Sequence, residues 1–333
     1  MEEYQIEIKE ETEKQEESAT IKVLKWFSKN LLFLILPGSR IEDLTIRETE
    51  YERLVSKRKF IRRLKSVLTI LGILIVISIL TLAIFPNWLA PYTFEDASGV
   101  FTGTWDPPSA LHPLGKGAMG RDILSRLIFG ARASLTIALP AISFSVIFGT
   151  IIGITAAYYG GWLDAVIMRL CDILLAFPGL VLALVFVAIW GRHIEYIMLA
   201  WGILGVPYYA RLIRGNVLQA RALPYIEAAK VAGAGNWRIM FRHILPNVIQ
   251  PIIISFTFDI GGVILGLAGL AYLGFSDATL IEWGNDINSA RNYLYSAPWA
   301  SLWPGFMILI TVLGFMLIGD GLRDALDPRL RNL

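Results

Sequence analysis

One cysteine, Cys171, and three histidines, His112, His193 and His243, are all that this 333-residue chain holds in the way of soft metal ligands. The lone cysteine excludes an intrachain disulfide and a cysteine-based metal cluster, and the histidines show no ligand spacing. Charge is scarce too: Asp, Glu, Lys and Arg make up 17% of the chain against 55% hydrophobic residues, far from the balance of a soluble domain. A net charge of +2 gives no footing for a nucleic-acid partner, since what matters is where along the chain the charges sit. Catalytic signatures are missing as well. There is no GxxxxGK followed by Ser or Thr, no HExxH pair and no GxSxG elbow; Lys116 in PLGKGAMG resembles a phosphate loop only superficially. No cofactor is expected, and no catalytic residue.

Long uncharged runs fill the space instead. About 20 apolar residues cross a bilayer core of about 30 Å, and six segments are read as spans: 66–89, 134–158, 173–190, the shorter 196–209, 248–272 with its single charge Asp259, and 300–318. The segment at 31–36 is too short to cross, so 21–36 is expected to lie as an interfacial helix. Residues 1–20, rich in glutamate, lack the basic start and apolar run of a signal peptide and suit a disordered cytoplasmic tail. Domain limits follow: a cytoplasmic extension over 1–65, a six-span region over 66–320 and a tail over 321–333. Lys57, Arg58, Lys59, Arg62, Arg63 and Lys65 anchor the inner end of the first span, which puts both termini in the cytoplasm by the positive-inside tendency. Residues 91–120 and the connection before the last span are then external, GRDILSRLIFGARASL is an amphipathic helix leading to the second span, and residues 159–172 form an inner connection. Arg121, Arg126 and Arg132 sit outside in this scheme, against the tendency.

The most telling segment is 211–246. Six basic residues, Arg211, Arg214, Arg221, Lys230, Arg238 and Arg242, surround the single acid Glu227. Within it, Ala228 and Ala229 leave a low helical surface over which another protein can pass, Gly233 permits the positive φ of a sharp turn between two short helices, and Pro246 suits the first turn of the next span.

EAAKVAG, then AGNWRIMFR, then HILP: in that order and spacing the segment resembles the EAA signature of the inner-membrane permeases of ATP-binding-cassette (ABC) importers. HILPN, with His243 at its head, is typical of the oligopeptide, dipeptide and nickel branch. HPLG at 112–115, GRDILSRLIFGARASL from Gly120, YYGGWLDAVIMRLCDILLAFP, YLGF at 272–275, EWG at 282–284 and IGDGLRDALDPRLR extend the resemblance over about 65–331, most like the C-type subunit of the permease pair. Two departures from that pattern stand out: Lys116 and Gly117 where the branch has TD, and Leu267 where a glutamate is common.

The resemblance implies an all-α, polytopic membrane protein with six transmembrane helices in the type I ABC-importer permease fold. It implies a second permease subunit as heterodimeric partner, two cytoplasmic ABC ATPase subunits, an extracytoplasmic substrate-binding protein and a place in the cell membrane. Peptides lead as substrate, with nickel complexes and oligosaccharides on the same plan. Glu227, Ala228, Ala229, Gly233, Ala234, Gly235 and Trp237 become the ATPase-coupling residues. Asp259, the acid of the fifth span, is a candidate for the translocation path, facing it or the paired permease, with a hydrogen bond to Thr257 or to another span as the competing role. Arg121, Asp122 and Arg126 are candidates for contact with the binding protein or second permease, or form a solvated face. Trp283, Trp299 and Trp303 suit interface anchors, and Gly261, Gly262, Gly266 and Gly269 suit close packing or a gate. The competing function, a secondary transporter driven by an ion gradient, calls for inverted repeats and several embedded ionisable residues, which this chain does not display.

Overall fold

The computed structural model describes residues 66–277 and 279–326. The expectations for the acidic tail, the interfacial helix, the basic anchor and residues 327–333 lie outside the described residues.

Among the described residues the architecture is all helical. Ser66 caps α1 (Val67–Ile84), its Oγ accepting from the Thr69 N–H at 3.2 Å. Two short helices, α2 (Pro86–Leu89) and α3 (Phe94–Ser98), and a loop lead to α4 (Ile123–Tyr159). Then come α5 (Gly161–Leu175), α6 (Gly179–Trp190), α7 (Ile194–Ala220), α8 (Pro224–Val231), the turn α9 (Asn236–Arg238), a π-helical turn over 239–244, α10 (Leu245–Val248), α11 (Gln250–Tyr272), α12 (Trp283–Ala290) and α13 (Trp299–Leu326). α1, α4, α7, α11 and α13 are each long and apolar enough to cross a membrane, and α5 with α6 makes a sixth candidate, bent by 88°.

Three span limits differ from the sequence expectation, each for a physical reason. The amphipathic helix and the second span are one helix of 37 residues, about 55 Å long at 1.5 Å per residue, longer than a bilayer core of about 30 Å requires. The expected inner connection after it is α5, and the break falls at 176–178 instead, where Pro178 supplies no N–H and pushes Phe177 away from helical geometry. α7 runs eleven residues beyond Tyr209, carrying Arg211 and Arg214 inside the helix. The charges do not end it because they are matched: Arg214 makes two bonds to Asp164, at 2.6 and 2.7 Å, and Arg211 pairs with Asp172, both acids being on α5.

α4 and α7 form the central pair. Gly149 and Gly153, one turn apart on α4, allow the close approach: a Cβ at Gly149 would lie 2.5 Å from the Tyr209 Cβ, and one at Gly153 would lie 2.1 Å from the Ile213 Cγ2. Ser145 Oγ donates to the Gly202 carbonyl at 2.7 Å along the same seam. On α11, Gly266 takes the Trp201 ring and Gly261 sits against Val312, whereas Gly262 has open space. Those two glycines make room for neighbouring helices.

Candidate functional site

At one end of the bundle, α8 begins with Leu223 extended and Pro224 in its first turn, where the missing N–H costs nothing. The helix stops in a Schellman motif: Gly233 at φ +78° donates its N–H to the Lys230 carbonyl at 2.9 Å, and the Ala234 N–H reaches the Ala229 carbonyl at 3.0 Å. Gly235 then opens α9, and the π turn carries the chain to Pro246. Ile226, Ile239 and Ile244 are fully buried and root this helix–turn–helix in the core. Its outer surface mixes charged with large apolar side chains: Lys230 and Arg238 are exposed there, Val231 is 90% and Trp237 69% exposed. Glu227, Ala228, Gly233 and Gly235 are exposed on that surface, and Ala229 and Ala234 are half-buried behind it. The Glu227 carboxylate makes no hydrogen bond or ion pair among the described residues. No atom comes within 4 Å of a Cβ built on Gly233 or Gly235.

Two contacts tie this segment to the spans. The Tyr158 hydroxyl donates to Asn236 Oδ1 at 2.9 Å, and the Arg221 guanidinium donates to the Ala157 carbonyl at 2.6 Å, a cation on the carbonyl end of α4. With the Arg211 and Arg214 pairs already described, the segment is fastened to α4 directly and to α5 through α7. The sequence reading missed Tyr158 and this role of Arg221. The spacing of Arg211 and Arg214 (i, i+3) and of Asp164 and Asp172 (i, i+8) on their helices was the available signal.

Midway along α11, Asp259 Oδ2 accepts from the Tyr209 hydroxyl of α7 at 2.6 Å. Thr257 instead bonds backbone carbonyls of its own helix, at 2.9 and 3.0 Å.

The opposite end carries Arg121, Asp122 and Arg126, and burial corrects the expectation of a solvated face for Asp122 and Arg126. Asp122 is 4% exposed and Arg126 6%. Asp122 caps α4, accepting from the Ser125 N–H at 2.8 Å and its hydroxyl at 2.7 Å, while its other oxygen meets His112 Nδ1 at 2.9 Å. Arg126 pairs with Asp286 at 2.6 Å and donates to the Ala97 carbonyl at 2.7 Å. Arg121, half-buried, donates to the Gly99 carbonyl at 2.7 Å. Arg132 holds the carbonyls of Ala83 and Ile84 at the end of α1, both at 2.9 Å. These groups bind the loops into a cap over the first turns of α4.

Trp283 belongs to that cap as well, a second correction. It is 1% exposed and donates its indole N–H to the Leu127 carbonyl at 3.0 Å, because the loop before α13 folds back over Gly130. Trp299 donates to the Lys116 carbonyl at 3.3 Å, and Trp303 is partly exposed. Beside the cap lies a cavity of about 500 Å³ edged by Arg121, Arg126, Asn285 and Asp286.

Glu282, the first residue of EWG, is buried, with Oε2 unpartnered among the described residues. Burial, with the nearby Asp286 charge, pushes its carboxyl up to about 8 from the ordinary 4.5. Between those values the folded protein holds a proton that the unfolded chain has lost, so stability falls as pH rises from 5 to 8. We expect the thermal midpoint of the purified protein to drop across that window, and Glu282→Gln, which keeps the neutral form, to flatten the drop. A wild-type midpoint that is level or climbs from pH 5 to 8 would contradict it.

No group of three His, Cys, Asp or Glu side chains converges among the described residues, so they offer no metal cradle. Among the described residues the arrangement offers an exposed helix–turn–helix at one end, an acid midway along α11 and a locked cap at the other end.

The profile of the family described as binding-protein-dependent transport system inner membrane component matches residues 149–332. A dipeptide transport system permease protein, DppC, of Alkalihalophilus pseudofirmus is 41% identical over 86% of this chain and 94% of its own length. A glutathione transport system permease protein, GsiD, of Pectobacterium atrosepticum is 41% identical over 83% of this chain and 90% of its own, and its Escherichia coli counterpart is 40% identical over 78% and 86%. With a set of apolar spanning helices and an exposed EAA helix–turn–helix, the chain belongs to the inner-membrane components of binding-protein-dependent transport systems, as a permease subunit of an ABC importer.

Proposed function

We propose that this permease forms half of an inward path for peptides, paired with a second permease, driven by two cytoplasmic ATPases and supplied by an extracytoplasmic binding protein. The dipeptide and glutathione assignments of the relatives support the substrate class. The observation that carries the coupling is the rigid, outward-facing turn around Gly233, whose exposed Val231 and Trp237 suit a groove on an ATPase. Glu227, Ala228, Ala229, Ala234 and Gly235 complete that surface. Asp259 is assigned to the path.

The domain limits proposed are a cytoplasmic extension over 1–65, the permease over 66–320 with its coupling segment within 211–246, and a tail over 321–333. Both termini lie in the cytoplasm. Arg121, Arg126 and Arg132 do not argue against this orientation, because each guanidinium is taken up by the cap or by α1. Swinging a two-state path from 1:99 to 99:1 takes about 5.5 kcal/mol, which the fastened segment transmits to α4 and α7 when the ATPases close. Uptake of labelled dipeptide by the complete system in proteoliposomes tests the reading: import is expected with ATP and without an ion gradient, above that of a nickel chelate or an oligosaccharide. Import driven by a proton or sodium gradient alone would favour a secondary transporter and overturn it.

A further inference from the structure

Asp259 is the one charged residue of α11, and only half of its carboxylate is occupied. Oδ2 accepts from Tyr209, but Oδ1 has no hydrogen-bond partner among the described residues. Nor is it sealed: the buried polar side-chain atoms without partners there are Thr150 Oγ1, Trp201 Nε1, Glu282 Oε2 and Ser301 Oγ. Oδ1 therefore faces accessible space. Ser255 lies one turn earlier on the same face of α11 and shares a 3.3 Å hydroxyl contact with Tyr208, which is 44% exposed. Tyr209 is fully buried with its Cβ against Gly149 of α4, so the anchor of Oδ2 has no room to swing.

An ionised carboxylate within a span is costly unless it faces water or a partner. Here one oxygen is fixed, the other is open, and the Ser255 hydroxyl, in contact with that of Tyr208, lies one turn away on the same helix face. A primary ammonium has three donors and no acceptor, the complement of that set. We propose that Asp259 Oδ1, with the Ser255 and Tyr208 hydroxyls, receives the ammonium terminus of a peptide in passage, and that Tyr209 is the positioning residue that aims the carboxylate. This rests on the peptide reading above.

The test is equilibrium binding of a radiolabelled dipeptide and its N-acetyl form to the nucleotide-free complex of both permeases and the ATPases in nanodiscs. Losing one charge-assisted hydrogen bond should make the wild type favour the free amine by about tenfold or more. Asp259→Asn should abolish that preference, and Tyr209→Phe should reduce it while leaving the N-acetyl affinity unchanged. Should Asp259→Asn fail to assemble, Ser255→Ala, which removes a single hydroxyl, must lower the same ratio. A preference retained in Asp259→Asn overturns the subsite. Equal loss for both peptides also overturns it, and marks Asp259 as the partner of a basic residue on the second permease. If the wild type binds neither peptide while the complete system imports the free dipeptide, the subsite falls and the peptide reading stands; if import fails too, both fall.

Discussion

Gly233→Pro is expected to abolish ATP-driven uptake, by about a hundredfold or more, while the chain still inserts and assembles. Proline fixes φ near −65° and has no N–H. Gly233 sits at φ +78° and uses its N–H to close the helix on the Lys230 carbonyl. The Schellman turn cannot form with proline, so α8 and α9 lose their fixed relation while the buried Ile226 and Ile239 on either side stay in place. Gly233→Ala separates backbone from surface effects. A Cβ there meets nothing within 4 Å, so alanine carries only the left-handed backbone penalty of about 1 kcal/mol and should keep most of the activity. Uptake and peptide-stimulated ATP hydrolysis in proteoliposomes report both variants. Near-normal uptake by the proline variant would remove the coupling role from this turn.

The second large effect concerns the cap. Arg126→Ala deletes the bonds to Asp286 and the Ala97 carbonyl and leaves the Asp286 charge beside a buried vacancy. Breaking one side of a buried pair costs about 3–5 kcal/mol. At roughly 2–4 °C per kcal/mol for a chain of this size, the thermal midpoint of the purified protein should drop by about 10 °C, with protease cleavage appearing between α3 and α4. Lysine at 126 restores the charge without the fork geometry and should recover only part of the loss. A midpoint for Arg126→Ala within about 2 °C of wild type would show that the cap is held elsewhere.

The spans and the turn at Gly233 were readable in the sequence because both are local: an uncharged run of bilayer length, and a glycine after a short helix. What could not be read depends on distant partners. Arg211 and Arg214 looked like the start of a loop because their acids lie 39 and 50 residues away on α5. Trp283 looked like an interfacial residue because its acceptor, the Leu127 carbonyl, is 156 residues distant. Arg126 looked like part of a solvated face for the same reason, its partner Asp286 being 160 residues away. Asp259 was marked by its charge alone, whereas Tyr209, which holds it, resembles any tyrosine near the end of an apolar run.

The length of α4 has a mechanical corollary. Its first turns are pinned by Asp122 and Arg126, and its last turn is gripped by Tyr158 and Arg221. One uninterrupted rod thus joins the two ends of the described helical bundle, with Pro140 inside it as the place where it can flex. A pull on one end of such a rod travels along the helix itself, with flexure at Pro140 taking up part of it.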